Sequence, residues 1–230
     1  MNYKEVIEAK YNREAWQQLL HDIFLNKVQF YNSTSEVKVN SRLAKSALYI
    51  GRISLSDGES LGIYEVELAD KVDIERNKRG IRDMLTKDWK DMGHAGAFMF
   101  CYRKNESVLR FSYVSETWGF NKKGDYEKLS TNTKRYTYLL GEGRGCRTAI
   151  EQFSALKESK QSLSDVTAAF SVEALTKQFY KDLFDWYQWA VDPASGVYFP
   201  NNTSTEDDDR EDIETKIIRM ITRIMFVWFI

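Results

Sequence analysis

Cysteine is scarce in this chain of 230 residues: Cys101 and Cys146 make neither a disulfide framework nor a zinc site and fit a reducing compartment, so a cytoplasmic location is expected. Histidine is equally scarce. His21 and His94 have no Cys or His neighbour at ligand spacing, which assigns them to packing or surface roles. Net charge is almost absent, since 33 Lys and Arg against 34 Asp and Glu leave −1. No overall field draws nucleic acid to the surface, and any such contact must come from a local basic patch. The start, Met1-Asn-Tyr-Lys-Glu-Val, has no apolar run that would serve as a signal peptide. The apolar stretch Ile217–Ile230 is too short to span a bilayer and is interrupted by Arg219 and Arg223, so no membrane partner is expected. Internal repeats, low-complexity tracts, a Gly-x-Ser-x-Gly elbow and a Cys-His pairing are missing too. Gly141-Glu-Gly-Arg-Gly145 lacks the Lys-Ser/Thr ending of a phosphate loop.

What is present suits a packed core. With 43% hydrophobic and 29% charged residues, one α/β domain with a helical appendage is expected. The plan centres on residues 61–90. Leu61–Leu68 alternates like a half-buried strand, with Leu61, Ile63, Glu65 and Glu67 on one face and Gly62, Tyr64, Val66 and Leu68 on the other. Residues 73–90 then change to a helical period, with Ile74, Lys78, Ile81, Leu85 and Met92 on one stripe and a basic flank beside it. Asp57-Gly58 predicts a hairpin between a strand over 47–55 and the one starting near Ser60. Residues 97–102 and 108–114 read as two more strands, and 136–140 as an edge strand. The result is an α/β (α+β) fold: a mixed sheet of four to six strands flanked by helices.

Helices frame this sheet. Asn12 is placed to cap a helix with Trp16, Leu19, Leu20, Ile23 and Phe24 on its apolar face, and Asn32–Glu36 reads as a polar connection. From Thr148 onward the period is helical, which divides the chain into 1–147 and 148–230. Ser171 is placed as the cap of a helix that stops before Pro193, with Phe170 and Leu175 as a hydrophobic staple. Residues 206–212 form an acidic run suited to the start of a last helix. Trp16, Phe179, Trp186 and Trp189 fall at helical spacing and are expected in the core.

Four stretches together carry a resemblance: Tyr64-Glu-Val-Glu67, Ile74-Glu-Arg-Asn-Lys-Arg-Gly-Ile-Arg82, residues 169–180 and residues 218–229. They resemble the N-terminal region of bacterial type IIG restriction-modification proteins, in which a nuclease-like domain is fused to an N6-adenine DNA methyltransferase. The resemblance implies a restriction-endonuclease-like (PD-(D/E)XK-like) fold, double-stranded DNA as partner of the parent protein, and a C-terminal methyltransferase domain as a second partner. The apolar end near Ile230 is accordingly expected to lead on to that domain. S-adenosylmethionine belongs to the methyltransferase, because no Asn-Pro-Pro-Tyr segment and no Gly-rich cofactor loop occurs here.

Restriction-type nucleases hold one or two magnesium ions between an Asp on one strand and a Glu-x-Lys pair on the next, where carboxylate oxygens suit a hard cation and the Lys orients the attacking water. Glu65-Val-Glu67 has that spacing with Glu in place of Lys, and makes Glu65 and Glu67 the candidate catalytic and metal-binding residues. A first acid is harder to find. Asp57 at the hairpin tip lies roughly 20 Å from Glu65 along the strand, which leaves an acid from elsewhere, such as Glu14 or Asp22. The competing reading takes both glutamates as salt-bridged strand residues, with Arg82 placed to turn back and neutralise them. For DNA the candidate contacts are Arg76, Lys78, Arg79 and Arg82, together with Lys122, Lys123 and Arg144 in the segment 117–147, which reads as a loop with a basic bias. The competing reading there is a solvated face. Three functions follow: a DNA-contacting module with magnesium-dependent phosphodiester cleavage, a catalytically silent module on the same fold for DNA binding or domain docking, and a small-molecule or signalling domain.

Overall fold

A computed structural model describes residues 1–75, 79–116, 118–120, 126–128, 134–197 and 207–229. The chain divides into two compact units, Met1–Val172 and Glu173–Ile230.

The first unit is built on a six-stranded mixed sheet in the order β1-β2-β3-β4-β5-β8. Its strands are β1 (Val28–Glu36), β2 (Ala44–Ser54), β3 (Ser60–Leu68), β4 (Gly96–Tyr102), β5 (Val108–Ser115) and β8 (Lys134–Gly141). Among the described strands only β3 and β4 run parallel, joined through helix α3 (Arg79–Asp91), while the other neighbours are antiparallel. A separate ribbon pairs β6 (Trp118–Phe120) with β7 (Tyr126–Lys128) inside the segment expected as a loop. The Asp57-Gly58 hairpin forms as expected, with Gly58 at φ +86° and the Leu55 amide donating to the Glu59 carbonyl at 2.8 Å.

Both faces of the sheet are covered, so the two residue sets of β3 enter two different cores. Leu61 and Ile63 pack with α1 (Tyr3–Ile7), α2 (Arg13–Phe24), α4 (Arg147–Glu158) and α5 (Leu163–Phe170), where Trp16, Phe100, Phe111 and Phe153 form an aromatic cluster. Tyr64, Val66 and Leu68 pack with Leu85 and Trp89 of α3 on the other side. Fully burying a side chain of this size stabilises by about 1.5–3 kcal/mol, so each layer contributes a large share of the fold. Asn12 caps α2 as expected, its side chain accepting from the Ala15 amide at 2.9 Å.

Several expectations are corrected. Asn32–Glu36 is not a connection but the second half of β1. It reads as polar because it lies on a sheet edge, half exposed, with an irregular register between Phe30 and Ser35. The α3 stripe buries Leu85 and Trp89, four residues apart. Met92 lies beyond the helix end and is 48% exposed. The sheet-bearing unit also extends past Arg147, because α4 and α5 pack on the sheet.

The second unit contains α6 (Val172–Val191) and α7 (Asp207–Phe229). As expected, α6 stops before Pro193 and α7 begins in the acidic run. Ser171 ends α5, its hydroxyl donating to the Ala168 carbonyl at 3.0 Å. The staple partner Leu175 has a side chain outside the described residues. Trp16 is core as expected, but Phe179, Trp186 and Trp189 are not, with exposures of 45%, 41% and 54%. Among the described residues, no helix is long and apolar enough to cross a membrane.

Candidate functional site

The alternation of β3 sends Glu65 and Glu67 to the same face of the sheet, as the sequence predicts. Glu65 lands among apolar neighbours, because Leu48 on β2 and Phe100 on β4 stand directly beside it. An irregularity between Tyr49 and Gly51 shifts the hairpin register by one residue, so the residue opposite Glu65 is Leu48. Only 2% of Glu65 is exposed, and a carboxylate buried to that degree requires partners.

Those partners come from the beginning of the chain. Capping by Asn12 places Arg13 in the first turn of α2, and the apolar face of α2 packs the helix on the sheet beside β3. Arg13 then meets Glu65 in a two-pronged pair: Nε donates to Oε1 at 2.8 Å and Nη2 donates to Oε2. The Tyr11 hydroxyl donates to the same Oε1, and its ring stacks on Tyr102 with centroids 4.7 Å apart. Burial, then the Glu65 charge, raises the Tyr11 pKa far above that of an ordinary phenol and keeps it a donor. The hydrogen bond to Glu65 raises the Arg13 pKa against the opposing effect of its partial burial. A carboxylate has about four acceptor positions. Tyr11 and Arg13 take three of those on Glu65.

Glu67 lies nearer the sheet end, flanked by Ser46 and Tyr102, and pairs with Lys104 at 3.1 Å. Of the other acids considered, Glu14 is exposed in the first turn of α2, and Asp57 and Asp22 are engaged elsewhere. Asp57 accepts from the Leu163 amide at 2.8 Å, and Asp22 is held by Tyr3 at 2.6 Å and Lys157 at 3.0 Å. Among the described residues no group of three His, Cys, Asp or Glu is placed to hold a metal ion.

At the opposite end of the strands, His94 bridges two hydroxyls, with Ser60 Oγ 2.8 Å from Nδ1 and Tyr49 Oη 3.0 Å from Nε2. Burial, helped by the positive Arg52, lowers the His94 pKa. The imidazole borders a cavity of about 320 Å³ that also receives Trp89 and the Lys90–Glu116 pair at 2.8 Å.

Of the candidate DNA contacts, Arg144 stands in the turn after β8 and donates to Glu75. Arg103 and Arg110 hold the same 70–75 segment through its carbonyls, Arg103 to Val72 and Arg110 to Glu75, each at 2.6 Å. Arg79 and Arg82 belong to α3, but their side chains lie outside the described residues, as do Arg76, Lys78, Lys122 and Lys123 entirely.

Comparison with protein-family models, curated proteins and solved structures gives no match. The site is therefore read from its own atoms. Sequence reasoning found Glu65 and Glu67 and missed Tyr11, Arg13 and Lys104. The only available signal was indirect: a carboxylate in the middle of an apolar strand demands a cation, and Arg13 follows a helix cap closely enough to have a fixed position.

Proposed function

We propose that the Met1–Val172 unit is a nuclease-like module, of restriction-endonuclease-like fold, in which an internal arginine has replaced the metal. In this reading it is catalytically silent and provides DNA contact within a type IIG-like restriction-modification polypeptide. Adenine-N6 methylation with S-adenosylmethionine belongs to a methyltransferase domain of that polypeptide. The observation that carries the reading is the Arg13 guanidinium on both oxygens of Glu65. A magnesium site needs those oxygens and a further acid on the adjoining strand, and the β2 residue opposite Glu65 is Leu48. Glu65 is thus neutralised by a fixed cation of the chain itself.

DNA contact is supported by the 117–147 segment, where Lys122, Lys123, Lys128, Lys134, Arg135, Arg144 and Arg147 outnumber Asp125, Glu127 and Glu142 in a chain whose net charge is −1. Such a local excess positions a phosphate backbone without reading its sequence. The test is retention of a duplex by the full chain across a salt series, with and without millimolar magnesium. Retention should weaken with salt, and alanine at Lys122, Lys123 and Arg144 together should flatten the logarithmic slope by about 2–3. Neither the wild type nor Glu65→Gln should cut. Magnesium-dependent cutting abolished by Glu65→Ala would restore the rival reading of Glu65 and Glu67 as metal ligands. Absence of retention at low salt would favour the small-molecule or signalling reading.

A further inference from the structure

The second unit has a feature that the Glu65 site does not explain. Helix α6 is apolar around much of its circumference, and a helix of that kind is normally enclosed by protein. Within this unit Ala190 of α6 and Ile217 of α7 are buried, and elsewhere the two helices line an open groove. Phe179, Leu183 and Trp186 form one wall, Met220, Ile221 and Ile224 the other, and the space between is about 460 Å³. Apolar walls facing each other across water of this volume are costly, because each wall lacks the contacts a filled core would supply.

We propose that a second copy of this chain fills the groove, the two α6–α7 hairpins pairing about a two-fold axis as a four-helix bundle. Two observations favour a copy over a different partner. The first is self-complementarity. Phe184 follows Leu183 by one residue and so lies about 100° round α6; with Tyr180 it forms an aromatic ridge beside the groove, 57% and 61% exposed. A two-fold axis sets the ridge of one hairpin against the groove of the other twice over, which is the condition for a closed dimer. The second is area. Taking ~200 Å² for a large side chain, the exposed parts of Phe179, Tyr180, Phe184, Trp186, Ile224 and Val227 amount to roughly 700 Å². That exceeds the ~300–600 Å² of the largest apolar patch on a typical monomer and approaches the ~800 Å² each partner gives to a standard interface. The Trp, Tyr, Phe and Met content is also that of an interface centre.

Sedimentation velocity of the full chain tests this. One species at twice 26.9 kDa is expected above roughly 10 µM. Ile224→Asp and Phe184→Asp should each weaken association at least about 100-fold with the helical circular dichroism unchanged, because both side chains are more than half exposed. Ile224→Met should remain dimeric. A species of 26.9 kDa at all concentrations overturns the proposal, as does a dimer that survives both aspartate variants. A monomer whose tryptophan emission shifts on adding phosphatidylglycerol vesicles would assign the groove to a lipid surface and also overturn it. These substitutions leave Glu65 and the basic segment untouched, so failure here leaves the DNA-contact reading standing.

Discussion

Replacing Arg13 with methionine removes a guanidinium and keeps an apolar stem on α2, so the effect isolates the charge on Glu65. Breaking one side of a buried ion pair costs about 3–5 kcal/mol because the remaining charge has no partner. Here Glu65 is 2% exposed while Arg13 is 41% exposed, so water entering the vacated place relieves part of that penalty. The hydrogen bond from Tyr11 relieves a little more. A loss of about 3 kcal/mol is expected, which for a unit of this size lowers the melting temperature by roughly 6–12 °C. Adding Glu65→Leu should recover most of the loss, since an apolar pair of similar volume is often neutral or better. Differential scanning calorimetry of the four proteins at pH 7 gives the complete cycle. A melting temperature for Arg13→Met within a degree or two of the wild type at pH 7 would refute the claim that this pair neutralises a buried acid.

Two further outcomes follow from other parts of the fold. Because burial depresses the His94 pKa below its unfolded value, the folded state favours the neutral ring: its contribution is present above about pH 6.5 and lost as pH falls through the folded pKa. Urea midpoints at pH 7 and pH 5.5 should show a smaller acid-side loss for His94→Gln than for the wild type, and parallel losses would contradict the assignment. Gly141 has φ +111°, and a Cβ there would lie 2.0 Å from the Ser107 carbonyl oxygen, so Gly141→Ala should lose at least about 2 kcal/mol by chemical denaturation.

The elements whose burial repeats with a clear period were legible in the sequence. β3 showed both of its faces, the Asp57-Gly58 turn announced its hairpin, and Asn12 announced α2, because each is fixed by neighbours close in the chain. The first half of β1 went unread and the second half read as a polar connection, since an edge strand is half in water and obeys no strict alternation. Trp186 and Trp189 have the composition and spacing of core residues and are nevertheless exposed, because a periodic pattern marks an apolar face without saying what covers it. The acid pair was legible as chemistry and not as environment. What decides its character is Arg13, 52 residues away in sequence. No local pattern reports which cation will be folded against which carboxylate.

The two free thiols give this sheet a built-in reporter. Cys101 faces the α3 layer and Cys146 the layer of α1, α2, α4 and α5, and both are buried. Burial pushes the Cys101 thiol up to about 12 and the Cys146 thiol upward as well, so neither forms a reactive thiolate while its cover is closed. The rate at which each is alkylated in the folded protein measures how often its own layer lifts from the sheet. One labelling time course, resolved by mass spectrometry, thus times the two sides of the molecule independently.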